Sequence, residues 1–172
     1  MTDVTRRTFL KTSAAAAAGV GLATTLPSGA WSASQGANDT IQVAVIGCRS
    51  KGAQHIGMFS EIEGVQVVAL CDADQAILDR ESQKFTDRNE SVDTYKDVRE
   101  VLDRQDIDAV AIATPNHWHS LVTIWACQAG KDVYVEKPVS HNIWEGRRML
   151  EAARKYDRIV QAGTQNRSDI GF

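Results

Sequence analysis

Beyond residue 40 the chain breaks into short apolar runs separated by longer stretches in which apolar positions return every three or four residues. The runs Ile41–Ile46, Val65–Cys71, Ala109–Ala113, Val133–Val135 and Ile159–Ala162 have strand length and are dense in Val, Ile and Ala. A sixth, shorter strand fits Val92–Tyr95. Helical spacing fills the gaps: Gly52–Glu61, Asp74–Thr86, Lys96–Arg104, His117–Ala129 and Asn142–Tyr156. Strands alternating with helices at this interval predict an α/β fold, a parallel sheet covered by helices on both faces. In the last helix Asn142 is placed to cap, with Glu145 three residues on, and Ile143, Met149, Leu150 and Ala153 form the expected buried stripe.

The first forty residues break this pattern. Thr5-Arg6-Arg7-Thr8-Phe9-Leu10-Lys11 is a twin-arginine pattern, and the Ala- and Gly-rich run that follows, Thr12 to Leu26, is too short and too mildly apolar for a stable membrane anchor. Small residues in Pro27-Ser28-Gly29-Ala30 suit a signal peptidase. Residues 1–30 are therefore expected to be a twin-arginine signal peptide, cut after Ala30 or, as second choice, after Ser32. Residues 31–40 read as a linker and residues 41–172 as one folded domain. The twin-arginine route carries folded proteins, so the product is expected in the periplasm or otherwise exported, with any nucleotide loaded beforehand.

Composition narrows the partners. An apolar fraction of 43% is that of an ordinary globular domain. Net charge is -3, and once Arg6, Arg7, Lys11 and Asp3 of the signal are set aside, 16 basic and 21 acidic residues remain, which argues against a nucleic-acid partner. Cys48, Cys71 and Cys127 are odd in number, lack metal-ligand spacing and read as small buried residues. No metal site is expected.

Chemistry gathers at the ends of the apolar runs. The first run ends in Gly47-Cys48-Arg49-Ser50-Lys51-Gly52, where a Rossmann-type dinucleotide fold places G-x-G-x-x-G between strand and helix. Gly47 and Gly52 match the turn and packing glycines, while Arg49 stands where the middle glycine lets backbone approach a pyrophosphate. Its backbone still approaches if the side chain points outward, and its guanidinium could pair with a phosphate. The second run ends at Asp72, twenty-five residues after Gly47, where a carboxylate can accept from both adenosine ribose hydroxyls. That acid also repels a 2'-phosphate and favours NAD, whereas Arg49, Ser50 and Lys51 leave NADP open. A competing role for Asp72 is a helix N-terminal acid, although Asp74 is better placed to cap.

Further along, the fourth strand runs into Thr114-Pro115-Asn116-His117-Trp118-His119, a helix start at the carboxyl edge of the sheet. His117 and His119 are two residues apart, about half a helical turn, which argues against a shared metal. Capping or a surface position competes with ligand binding for each, and Trp118 and Trp125 are expected to pack rather than bind. The fifth strand closes on Glu136-Lys137-Pro138, a lysine held beside a carboxylate and fixed by a proline. Such a lysine can pass a proton where its position and pKa are controlled; otherwise the tripeptide is a solvated strand end.

Together these residues resemble the Gfo/Idh/MocA group, named for glucose-fructose oxidoreductase, inositol 2-dehydrogenase and rhizopine catabolism proteins. The resemblance rests on the Gly47 turn, Asp72, Thr114-Pro115-Asn116 with His119, Glu136-Lys137-Pro138 and Gly163-Thr164-Gln165-Asn166-Arg167, and it covers Ile41 to Arg167. It implies a Rossmann-type doubly wound sheet and an oxidoreductase that moves hydride between NAD(P) and a sugar or cyclitol hydroxyl. Gly47, Arg49, Ser50, Gly52 and Asp72 would hold the adenosine end; Thr114, Asn116 and His119 would lie along the nicotinamide ribose. Glu136 and Lys137 would sit beside the nicotinamide and Arg167 at its far edge, with Lys137 as the catalytic group. The Lys137–Pro138 bond is expected to be cis.

Members of this group carry a second α/β domain that shapes the substrate pocket and often mediates self-association. Within 172 residues that domain has no room, so the resemblance implies a nucleotide-binding part of a longer enzyme. A non-catalytic dinucleotide-binding module is the alternative. A methyltransferase-like fold, in which Asp72 would hold an adenosyl ribose, leaves Glu136-Lys137-Pro138 without a task.

Overall fold

The computed structural model describes residues 40–164. The twin-arginine segment, nearly all of the linker, and Gln165, Asn166 and Arg167 lie outside the described residues. Six strands alternate with five helices in chain order: β1 Ile41–Ile46, α1 Lys51–Ser60, β2 Val65–Cys71, α2 Gln75–Thr86, β3 Asp93–Tyr95, α3 Val98–Leu102, β4 Ala109–Ile112, α4 Asn116–Gln128, β5 Asp132–Glu136, α5 Ile143–Lys155 and β6 Val160–Gly163. Every expected element is present, with ends displaced by at most two residues. The short third strand is real, pairing Ala69–Cys71 with Asp93–Tyr95.

All pairings are parallel, in the order β3-β2-β1-β4-β5-β6. Chain direction across the sheet therefore reverses between β1 and β4, which opens a crevice at their carboxyl ends, the ligand position of doubly wound folds. One face of the sheet packs Ile46, Ile112 and Val135 against Val101 of α3, Val122 and Ala126 of α4, and Met149 and Ala152 of α5. The other packs Val45, Leu70 and Ala111 against Ile56 of α1 and Ile77, Leu78 and Phe85 of α2. Each large side chain buried in this way contributes about 1.5–3 kcal/mol. Register between β1 and β2 slips at Val43/Ala44, so β2 carries Val68 as an extra residue.

Three helices carry side-chain caps, two of them, at Asp74 and Asn142, as the sequence predicts. Asp74 accepts from the Ala76 N–H at 3.0 Å, Asp97 from Arg99 at 2.9 Å and Asn142 from Glu145 at 2.9 Å. By contrast α1 and α4 begin at Ser50 and Pro115 with no side-chain cap. Both helices start at the carboxyl edge of the sheet, so their first-turn N–H groups face the crevice without a protein side chain to satisfy them.

The buried stripe of α5 differs from the expected one. Met149 and Ala152 are buried, but Ile143 is 93% exposed and Leu150 41% exposed. This helix presses a narrow face on the sheet and α4; at its start Ile143 and Trp144 face solvent, while Glu145 is held to Ser120 of α4 at 3.0 Å.

Candidate functional site

At the β1–α1 turn Gly47 has φ +84, and a Cβ there would lie 2.7 Å from the Ala113 and Thr114 backbone. Only glycine lets β1 turn this tightly against the end of β4. Gly52 solves a second crowding problem, since its Cβ would fall 1.7 Å from the Gly47 carbonyl oxygen. Ser50, between them, has φ 37, a left-handed conformation unusual for a residue with a side chain. Arg49 pairs through its guanidinium with Asp74 at the start of α2. The middle-glycine position is thus filled by a residue whose guanidinium is drawn aside.

Asp72 follows β2 and reaches back to this turn. Its Oδ2 accepts the Cys48 N–H at 2.8 Å, and its Oδ1 accepts the Asp74 N–H at 3.0 Å. Each carboxylate oxygen retains a lone pair for a further donor. Cys48 and Cys71 flank the acid; burial, and secondarily the Asp72 charge, push each thiol up to about 12, so both stay protonated and inert. Asp74 is held below the usual carboxylate range, first by the Ala76 N–H and then by Arg49.

Across the crevice, the β4–α4 turn presents Thr114 and Asn116. Thr114 Oγ1 is buried with no protein partner. His119 is 1% exposed, its Nδ1 2.7 Å from the Pro138 carbonyl and its Nε2 2.8 Å from the Thr114 carbonyl. Its ring bridges this turn to the Glu136-Lys137-Pro138 segment, whose Lys137–Pro138 bond is cis as expected. Neither metal binding nor a surface position fits that geometry; His117, by contrast, is exposed. Glu136 is buried at 4% exposure, while Lys137 is exposed at the mouth.

These groups line one cleft of about 990 Å³: Gly47, Arg49, Ser50, Asp72, Thr114, Asn116, His119, Glu136 and Lys137 all border it. Gly52 lies beneath the turn and acts through packing. Arg167 lies outside the described residues. The volume is at the upper end of ligand pockets. An extended dinucleotide fits what is here: two uncapped helix starts for phosphate oxygens, a carboxylate for ribose hydroxyls and the orphaned Thr114 hydroxyl for a further polar contact. Among the described residues no group of three or more acidic, His or Cys side chains could hold a metal, and no helix is long and apolar enough to cross a membrane.

Sequence reasoning missed part of the lining. The β3–α3 turn adds Lys96 and Asp97, the start of α3 adds Val98 and Arg99, and Trp118, 41% exposed, borders the cleft together with Trp125. The tryptophans were expected only to pack. Nothing in their spacing of seven residues distinguishes a packing face from a lining face. His55 was also missed. It lies on α1, and its Nε2 is 2.9 Å from Glu136 Oε1.

Comparison with known proteins agrees with this geometry. A twin-arginine translocation signal sequence matches residues 3–23, which marks the chain for export by that route. A glycosyl hydrolase family 109 protein of Shewanella baltica (strain OS155) is 31% identical over 175 residues, covering 90% of this chain and 38% of that protein. An alpha-N-acetylgalactosaminidase of Shewanella oneidensis is 33% identical over 122 residues, covering 68% of this chain and 27% of that protein. Among solved structures, myo-inositol 2-dehydrogenase from Lactobacillus plantarum superposes with a TM-score of 0.70 at 28% identity, over 76% of this chain and 38% of that one. The chain thus spans well under half the length of these relatives. A family profile for oxidoreductases with an NAD-binding Rossmann fold matches residues 41–164, and the chain belongs to that family, Gfo/Idh/MocA.

Proposed function

We propose that residues 41–172 form the nucleotide-binding part of an exported oxidoreductase that acts on hydroxyls of a sugar or cyclitol, with the periplasm as its destination. The juxtaposition of exposed Lys137 and buried Glu136 in the same cleft as Asp72 and the Gly47 turn carries this reading. When bound, a nicotinamide dinucleotide supplies a hydride acceptor or donor. Asp72 would bind the adenosine ribose, and the starts of α1 and α4 the phosphates. Lys137 would hold the substrate hydroxyl and move its proton, with Glu136 orienting the lysine's surroundings. Hydride transfer requires the substrate at near-attack distance, so the remaining length seen in the relatives would complete the pocket.

Calorimetry with NAD+ and NADP+, followed by nicotinamide absorbance with a panel of polyols, tests this. Binding of NAD+ with a polyol-dependent absorbance change that disappears in Lys137→Ala supports the enzyme reading. Tight NAD+ binding without any such change favours a non-catalytic dinucleotide module. Replacing Arg6 and Arg7 by lysine should retain the protein in the cytoplasm on cell fractionation.

A second reading is glycoside cleavage, favoured by the names of the Shewanella relatives. Nicotinamide-dependent glycosidases exist outside the two-carboxylate scheme. Release of p-nitrophenol from an α-N-acetylgalactosaminide, dependent on added NAD+ and on Lys137, would select it.

A further inference from the structure

We propose that His55 is a positioning residue for the nicotinamide end of the cleft: it donates Nε2–H to Glu136 and fixes that side chain beside Lys137. The inference rests on the dinucleotide reading above and adds to it a residue remote from the signature in sequence.

Strand alternation places the two partners together. Val133 and Val135 of β5 point into the core shared with α4 and α5, so Tyr134 and Glu136 point to the opposite face, where α1 lies. His55 meets them there, with both side chains of the His55–Glu136 pair 5% exposed. Aromatic rings surround the imidazole: Tyr134 edge-on at 5.2 Å and Phe59 tilted at 6.2 Å. Shielded from water, a hydrogen bond to a carboxylate is strengthened, and its loss leaves a buried charge less well satisfied. Glu136 Oε2 lies 3.3 Å from the Lys137 N–H, so a rotation of the carboxylate disturbs the neighbouring residue directly.

The tautomer follows from the contact. An ionised carboxylate oxygen only accepts, so with Glu136 ionised the nitrogen facing it carries the proton. Burial moves the imidazole toward its neutral form, against the pull of Glu136. A neutral donor orients Glu136 without cancelling its charge, whereas an imidazolium would leave the pair uncharged overall.

Two measurements on the full chain decide the matter. Long-range 1H–15N spectra at pH 7.5 should show His55 as the neutral Nε2–H tautomer; an Nδ1–H tautomer or an imidazolium overturns the proposal. Titration with NAD+ and with ADP-ribose, which lacks the nicotinamide, separates the ends of the ligand. His55→Ala should weaken NAD+ about tenfold while ADP-ribose affinity stays within about twofold, the loss expected for one hydrogen bond to a charged group. His55→Gln, whose amide reaches the Nε2 position, should restore NAD+ affinity, and the shorter His55→Asn should not. Equal effects on both ligands, no effect on either, or equal behaviour of Gln and Asn overturn the proposal. If His55→Ala does not fold, the Gln and Asn comparison still decides. Failure of the unaltered chain to bind either ligand strikes the dinucleotide reading itself.

Discussion

Asp72 holds the backbone of Cys48: its Oδ2 accepts the Cys48 N–H at 2.8 Å, which ties the end of β2 to the turn that ends β1. One residue therefore both shapes the glycine turn and offers a carboxylate to the cleft. Asp72→Ala should lower stability by about 1–3 kcal/mol in urea unfolding, since the Cys48 and Asp74 N–H groups lose their acceptor. Asp72→Asn keeps one acceptor oxygen for one of the two N–H groups and should recover only part of that stability, yet reduce the preference for NAD+ over NADP+ by removing the charge that repels a 2'-phosphate. Calorimetry with both nucleotides separates the structural effect from the electrostatic one.

Two glycines of α1 make opposite predictions. A Cβ on Gly52 would sit 1.7 Å from the Gly47 carbonyl oxygen, whereas a Cβ on Gly57 meets nothing within 4 Å. Gly52→Ala should cost about 3 kcal/mol or more and abolish dinucleotide binding, because backbone must move to admit the methyl. Gly57→Ala should stabilise by about 0.5–1 kcal/mol through helix propensity alone. Thermal melts of the two variants check both signs.

The contrast between these glycines also shows what the sequence discloses. Gly47, Gly52 and Asp72 were readable because a strand end, a turn and a helix start impose residue types locally. Caps were readable for the same reason, and Asp74 and Asn142 stand where their neighbours predicted. His55 was hidden because its partner Glu136 lies 81 residues away, brought near only by strand order and by the α1 crossover. Ile143 and Leu150 misled because helical periodicity identifies apolar positions but not how wide a face the sheet will cover. Arg49 shows a third limit: its departure from glycine was visible, but its pairing with Asp74 depends on where the β2–α2 turn lies in space.

Acid sensitivity should carry the signature of His55. Its folded pKa lies below the ordinary 6.5, chiefly through burial. As pH falls below about 6.5 the unfolded chain therefore binds the proton before the native one, and stability declines with falling pH. The charged or titratable groups facing the imidazole are Glu136 and Tyr134 from β5 and Lys51 from its own helix. Carboxylates held low in the fold act in a more acidic window: Asp97, brought to about 2 by the Arg99 side chain, loses its contribution only as pH falls below the ordinary 3.8. Urea unfolding between pH 7 and pH 5 should thus show a slope that His55→Gln flattens. An unchanged slope in that variant would assign the acid sensitivity elsewhere.

Replacing Arg49 by glycine restores the usual middle residue of the turn and tests what the arginine is for. Its partner Asp74 is 41% exposed and its own side chain 66% exposed, so solvent screens the pair and its loss should leave the melting temperature nearly unchanged. Any effect should appear in nucleotide choice. A guanidinium beside the adenosine end can leave Asp74 for a 2'-phosphate, which offers more charge and a bidentate geometry. Arg49→Gly should therefore keep NAD+ affinity or improve it as the turn opens, while NADP+ affinity falls. If both nucleotides weaken together, Arg49 contacts the pyrophosphate common to the two, and the side chain must swing inward from the position it shares with Asp74.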